Sequence, residues 1–224
     1  MASAEAALYR ATTGDRVMGQ DIKLNFINRS SDTNNSSIVI FQQNAAVTFD
    51  EKPVAWRMIK NCGRGDNHPF TFPLNLQVMA RDSWGNYTAP ANAVGGQAFG
   101  MVLDTSGDVL TLLNVSAGSP NEVEVHNQLA RGAINACILK DGKLLAVKTG
   151  LAPGEKASFQ FNARIYIGVV GELDEGDVIH SAIASQVNTE IDLIGITSAD
   201  VVMTGGGAGQ NSTPFEFHLE NINQ

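Results

Sequence analysis

Hydrophobic and polar positions alternate from Asp21 onward. Ile22, Leu24 and Phe26 fall on one side of an extended chain, and Asp21, Lys23 and Asn25 on the other. A period of two is the mark of a strand with one buried face. Residues 28–36 then run Asn, Arg, Ser, Ser, Asp, Thr, Asn, Asn, Ser. Asn and Asp bond to their own main chain and tolerate left-handed backbone, so this stretch predicts a loop. Ile38, Val39, Ile40 and Phe41 are apolar without a break and predict a buried strand.

The same alternation continues to the C-terminus. Further strands are predicted at 54–59, 70–79, 98–103, 109–115, 123–125, 136–139, 144–147, 158–161, 165–170, 189–194, 201–204 and 215–219. Pro73 argues for a bulge or an edge in the second of these, because proline cannot donate to a ladder. Asp141 and Gly142 form the strongest hairpin signal, since a type I′ turn needs positive φ at both central residues. Short strands at regular spacing predict an all-β fold, a β-sandwich. Its core is expected to hold Phe26, Ile38, Ile40, Trp56, Phe72, Val78, Ile138, Phe161, Ile167 and Phe217. Residues 1–20 read as a polar N-terminal arm with one short helical turn over 4–8, and residues 21–224 as the sandwich domain. The segment 177–187 has apolar residues at helical spacing but β-branched content, and supports either helix or strand.

Two stretches share an order of features. Residues 22–79 give a strand, Asn28, a polar loop and strands around Ile40, Trp56, Phe72 and Val78. Residues 123–170 give a strand, Asn127, a loop and strands around Ile138, Val147, Phe161 and Ile167. Two closely packed sandwich-like halves, 21–118 and 119–224, explain that order; so does coincidence in a β-rich chain.

Composition narrows the function. Charged residues make up only 17% of the chain, so Gly, Ser, Thr and Asn must carry the polar surface, which suits strands and tight turns. A net charge of -8 without any Lys/Arg cluster argues against nucleic acid as a partner. No apolar run approaches the ~18 residues of a membrane-spanning helix. The first ten residues lack a basic-then-apolar signal, so cytoplasmic residence is expected, with export by a route that needs no cleaved signal left open. Cys62 and Cys137 are too few for a disulfide framework; they could form one pair, and read first as two small apolar fillers in a reduced compartment.

Candidate chemistry is sparse. No nucleophile elbow, zinc-protease helix or phosphate-binding loop is present, and no cofactor is expected. Glu122, Glu124 and His126 fall at i, i+2 and i+4, as do Glu216, His218 and Glu220; carboxylate with imidazole is a plausible cation ligand set. The same spacing also describes the wet face of a half-buried strand. Arg64, Gly65 and Asp66 spell an adhesion tripeptide that a glycine-rich turn would equally produce. Trp84, Asn86 and Tyr87, on a glycine-containing polar loop, form the most site-like segment. Aromatic rings on such loops stack against sugars, and they also cap sandwich cores.

Asn34 to Asn44, which contains Phe41, Gln42 and Gln43, followed by Val54, Ala55 and Trp56, resembles the opening of a family of bacterial proteins that includes a rhizosphere-induced protein of rhizobia. Ile165 to Gly168, Glu175 to Val178 and Thr189 to Asp192 are similar to its later strands, while 85–120 matches poorly. The resemblance covers about half the chain, implies a bacterial source in a host-associated setting, and names no site residue.

The first expectation for function is therefore a non-enzymatic protein that works through self-association, as a homo-oligomer. The alternatives are a lectin-like module with carbohydrate as partner and, last, a metal-dependent enzyme. Sparse charge, many strand edges and the polar arm motivate the first.

Overall fold

The computed structural model describes residues 21–46, 52–180 and 189–224. Sixteen strands make up its regular structure, and among the described residues the one helical piece is a 3-10 turn at Gly209–Asn211. The strands are β1 (Ile22–Asn28), β2 (Ser37–Phe41), β3 (Arg57–Ile59), β4 (Asn67–Phe72), β5 (Leu76–Arg81), β6 (Ala91–Ala93), β7 (Gln97–Asp104) and β8 (Gly107–Ser116). They continue as β9 (Val123–Asn127), β10 (Ile134–Lys140), β11 (Lys143–Leu151), β12 (Lys156–Phe159), β13 (Arg164–Val170), β14 (Thr189–Asp192), β15 (Ser198–Gly206) and β16 (Thr213–Asn223). The fold is all-β and sandwich-like, as the alternation predicts. No helix among the described residues is long and apolar enough to cross a membrane.

Four sheets of four strands result, in the orders β16-β15-β1-β4, β11-β10-β5-β6, β12-β9-β7-β8 and β14-β13-β2-β3. The order repeats. Replacing each of β1–β8 by the strand eight places later, and each of β9–β16 by the strand eight places earlier, turns the first sheet into the third and the second into the fourth. Every sheet joins two strands from the first eight to two from the last eight. The two equivalent junctions β1–β15 and β7–β9 are both parallel. The two equivalent junctions β5–β10 and β2–β13 are both antiparallel. The chain thus has the topology of an intertwined two-fold dimer.

Side chains repeat with the strands. Asn28 ends β1 and Asn127 ends β9; each is buried, and each accepts a bond from the main-chain N–H two residues on, at 2.9 and 3.1 Å. Their amides donate to the carbonyls of Cys62 (2.7 Å) and Leu151 (2.8 Å), which precede β4 and β12. The turn at Gly63–Asp66 matches the turn at Ala152–Glu155. Gly65 and Gly154 donate to the carbonyls of Asn28 and Asn127, and the Asp66 and Glu155 carboxylates accept the N–H of Gly63 and Ala152. Arg64, Gly65 and Asp66 therefore form a turn whose acid is occupied in closing it.

One apolar cluster takes residues from all four sheets, among them Phe26, Ile40, Trp56, Phe72, Val78, Met101, Ile138, Phe159 and Ile167. Of the ten predicted core positions nine are buried, and Phe161 packs against the cluster partly exposed. Asp141 and Gly142 both have positive φ, 55° and 68°, and close β10 on β11 as a two-residue hairpin.

Two expectations change. The strand predicted at 70–79 is two strands in different sheets, because Pro73, Leu74 and Asn75 carry the chain from β4 across to β5. In the strand predicted at 54–59, only Arg57–Ile59 is in the ladder; Val54 forms a single bridge to Val178, which makes the start of the ambiguous 177–187 segment extended. The remainder of that segment from 181, and the arm at 1–20, lie outside the described residues. The segments that carry the family resemblance fall largely in one sheet, as β2, β13, β14 and the approach to β3.

Candidate functional site

The loop from β5 to β6 is built around one carboxylate. Asp82 accepts 2.8 Å bonds from the N–H of Trp84, the N–H of Asn86 and the side-chain amide of Asn86. The Asn86 amide beside it, with those main-chain donors, holds the Asp82 carboxyl below the usual carboxylate range. Thr88 ties the loop back to β5, its N–H donating to the Ala80 carbonyl and its hydroxyl accepting from the Ala80 N–H. The result is a short, internally bonded loop with Trp84 at its tip.

Trp84 is 84% exposed and Tyr87 59% exposed, so neither caps the core. Trp84 lines an open groove of about 490 Å³ together with Ser83, Leu103, Asp108 and Arg131. That volume lies within the range of about 300–1,000 Å³ that small-molecule sites occupy. The opposite wall is also fixed. Buried Asn127 donates to the Gly132 carbonyl at 2.9 Å and accepts from Leu129, which pins the β9–β10 loop. Gly132 has φ 90°, a backbone conformation that favours glycine, and a Cβ there would stand 3.0 Å from the Ser83 hydroxyl oxygen, so the two loops meet tightly at this point.

The three sugar-site candidates separate in space. Trp84 faces the groove; Tyr87 does not line it and stacks under the Arg81 guanidinium, 5.5 Å from the ring centroid. Asn86 spends its side-chain N–H on Asp82 and acts as a strut. Ser83 adjoins the aromatic in sequence, but Leu103 and Asp108 come from the facing ends of β7 and β8 and Arg131 from the β9–β10 loop, and none carries a local signal that connects it to Trp84.

The metal candidates do not assemble. Among the described residues no group of three or more His, Cys, Asp or Glu side chains is placed to hold an ion. Glu124 is buried instead of wet, because Lys156 from β12, the Gly118 main chain and His126 close on its carboxylate. Its oxygens are occupied by Lys156 Nζ (2.7 Å), the Gly118 N–H (2.9 Å) and His126 Nε2 (2.8 Å), while Glu122 contributes no side-chain oxygen to this cluster. On β16, His218 lies 3.2 Å from Glu220, whose carboxylate also takes Arg29 at 2.8 Å; Glu216 stands exposed outside that contact.

Burial by itself would raise the Glu124 pKa. The bonds from Lys156, Gly118 and His126 outweigh it and bring it down to about 2 from 4.5. A depressed carboxylate pKa contributes stability that is present above about 4.5 and lost as pH falls from there towards about 2. Glu124→Gln is therefore expected to lower stability near neutral pH by on the order of 2–3 kcal/mol. Urea unfolding at pH 6 and pH 3 checks this: the gap between wild type and variant narrows in acid, and a gap of the same size at both values refutes it.

Two other depressions are less promising. One, lined by Lys60, Glu172, Asp174 and Asp177, has no aromatic wall, and Asp174 is already paired with Lys60. The other, beside Gln42 and Arg164, holds about 140 Å³.

Fold and groove together define an all-β protein of four interleaved sheets with an open, aromatic-tipped groove between the β5–β6 loop, the β9–β10 loop and the end of the β7–β8 hairpin. Neither a family model, a curated protein nor a solved structure matches the chain.

Proposed function

We propose that this protein is a non-enzymatic carbohydrate-binding module whose site is the Trp84 groove. The observation that carries the reading is an indole 84% exposed on a loop held rigid by Asp82. Leaving an indole in water forgoes roughly 2–3 kcal/mol of burial. A ring held in place loses little further freedom when a ligand covers it. The C–H face of a pyranose suits that indole, and Ser83, Asp108 and Arg131 supply a hydroxyl, an acceptor and a fork of donors for its hydroxyl groups. The groove lining includes a single carboxylate, Asp108, whereas most glycoside hydrolysis uses a pair, which favours binding over cleavage.

The chain has two tryptophans, and Trp56 is fully buried, so a ligand-dependent change in fluorescence reports on Trp84. Titration with neutral and acidic sugars, chosen from a glycan array, is expected to give a saturable change. By calorimetric titration, which does not need the reporting indole, Trp84→Ala should weaken binding at least tenfold, about 1.4 kcal/mol or more, with an unchanged unfolding midpoint, because the ring lies outside the core. A flat response across both sugar classes removes this reading.

A further inference from the structure

We propose that β8 is a self-association edge on which a second copy of this chain adds its own β8, antiparallel, about a two-fold axis at Thr111. Among the described residues each sheet ends in two edge strands, eight in all. Exposed edges pair with other chains unless they are short, charged or broken by proline. β3 and β6 have three residues each, and β12 and β14 have four, with Lys156, Glu190 and Asp192 among them. β4 contains Pro69, β11 carries Lys143 and Lys148, and β16 carries Pro214, Glu216 and Glu220. β8 is ten residues long, contains no proline, and has no charge after Asp108. Among the described residues it pairs with β7 alone, and it leaves Leu112 57% and Val115 58% exposed. The one register shift of the β7–β8 ladder falls between Leu112 and Ser116, so the run through Leu112 remains a regular template.

The sequence of this edge is complementary to itself. Leu110 and Leu112 lie opposite Met101 and Phe99 and so face the core side of the sheet; Val109 and Thr111 face the other side. In an antiparallel pair, directly opposed residues share a face. Centring on Thr111 sets Leu110 against the partner copy's Leu112, and Val109 against its Leu113, with the two threonines together on the axis. Apolar meets apolar on both faces. The two Asp108 carboxylates end roughly 20 Å apart along the strand direction. Each copy carries a net charge of -8, so association has to occur where charge is missing, and this edge meets that condition. The pairing would join two four-stranded sheets into one of eight strands. It stands independently of the sugar reading.

Light scattering coupled to size exclusion, on the full chain at about 100 µM, a concentration suited to a small interface, should show a particle of twice 23.8 kDa. Thr111→Lys and Thr111→Glu each place like charges face to face on the axis. Each variant alone should elute as a folded monomer, and an equimolar mixture should restore the dimer. Thr111→Lys moves the net charge only from -8 to -7, so general repulsion cannot account for its dissociation. Thr111→Ser should retain the dimer. A monomeric wild type, or a Thr111→Lys variant that still dimerises, overturns the proposal. A mixture that stays monomeric overturns the axis at Thr111.

Discussion

Produced separately, residues 21–118 and 119–224 should each fail to fold, and co-expressed they should assemble into a one-to-one complex with the spectrum of the intact chain. The cut falls between β8 and β9. Within the first segment the pairs β1–β4, β2–β3, β5–β6 and β7–β8 remain; within the second, β9–β12, β10–β11, β13–β14 and β15–β16. Those are two-stranded ribbons, and an isolated two-stranded ribbon is marginal in water. Every central junction, β1–β15, β2–β13, β5–β10 and β7–β9, crosses the cut. The apolar cluster also needs both segments, since Phe26 and Phe72 pack in the same core as Ile138 and Ile167. Circular dichroism and heteronuclear NMR on each piece and on the mixture check this. A cooperative unfolding transition from either piece as a monomer contradicts it.

The second large effect concerns Lys140, which is 3% exposed at the end of β10. Its Nζ lies 3.7 Å from the centroid of the Phe72 ring, and its main-chain carbonyl accepts the Trp56 indole N–H at 2.9 Å. Burial lowers the amine from 10.5 to about 7, and Asp21 opposes that shift without cancelling it. The sign follows from linkage. Between about 7 and 10.5 the unfolded chain binds the proton and the folded chain does not, so folding stability rises with pH across that window. The penalty is complete below about 7 and fades as pH approaches 10.5. Lys140→Met keeps the length of the side chain without the charge. It should stabilise the protein at pH 6–7 by a few kcal/mol, up to an order-of-magnitude bound of about 4. The gain should shrink towards zero by about pH 10.5. Denaturant unfolding of both proteins across pH 6 to 10 reads this directly. A variant no more stable than wild type at pH 6 would mean that the Phe72 ring compensates the charge in full.

Period-two alternation at Ile22, Leu24 and Phe26, and the paired positive-φ turn at Asp141 and Gly142, are local features. Each acts within a few residues, so the sequence by itself determined the all-β class, most strand positions, the I′ hairpin and nearly all of the core list. Pro73 announced a disturbance but not its kind: a bulge and a crossing between sheets both place proline where no ladder bond is needed. Glu124 shows the limit most plainly. Alternation puts it on the face opposite Val123 and Val125, and whether that face meets water or protein depends on Lys156 and the Gly118 main chain, distant in sequence or in another loop, closing on the carboxylate. Trp84 was legible as an unusual residue, because an aromatic on a polar glycine loop stands out. Its partners Leu103, Asp108 and Arg131 were not, since the β5–β6 loop, the end of the β7–β8 hairpin and the β9–β10 loop meet only after the sheets form. The exchange of strands between the two halves was likewise decided by tertiary structure. Ribbons within a half and junctions across halves use the same apolar alternation, and only burial of the whole core selects the pairing that leaves no ribbon exposed on both sides.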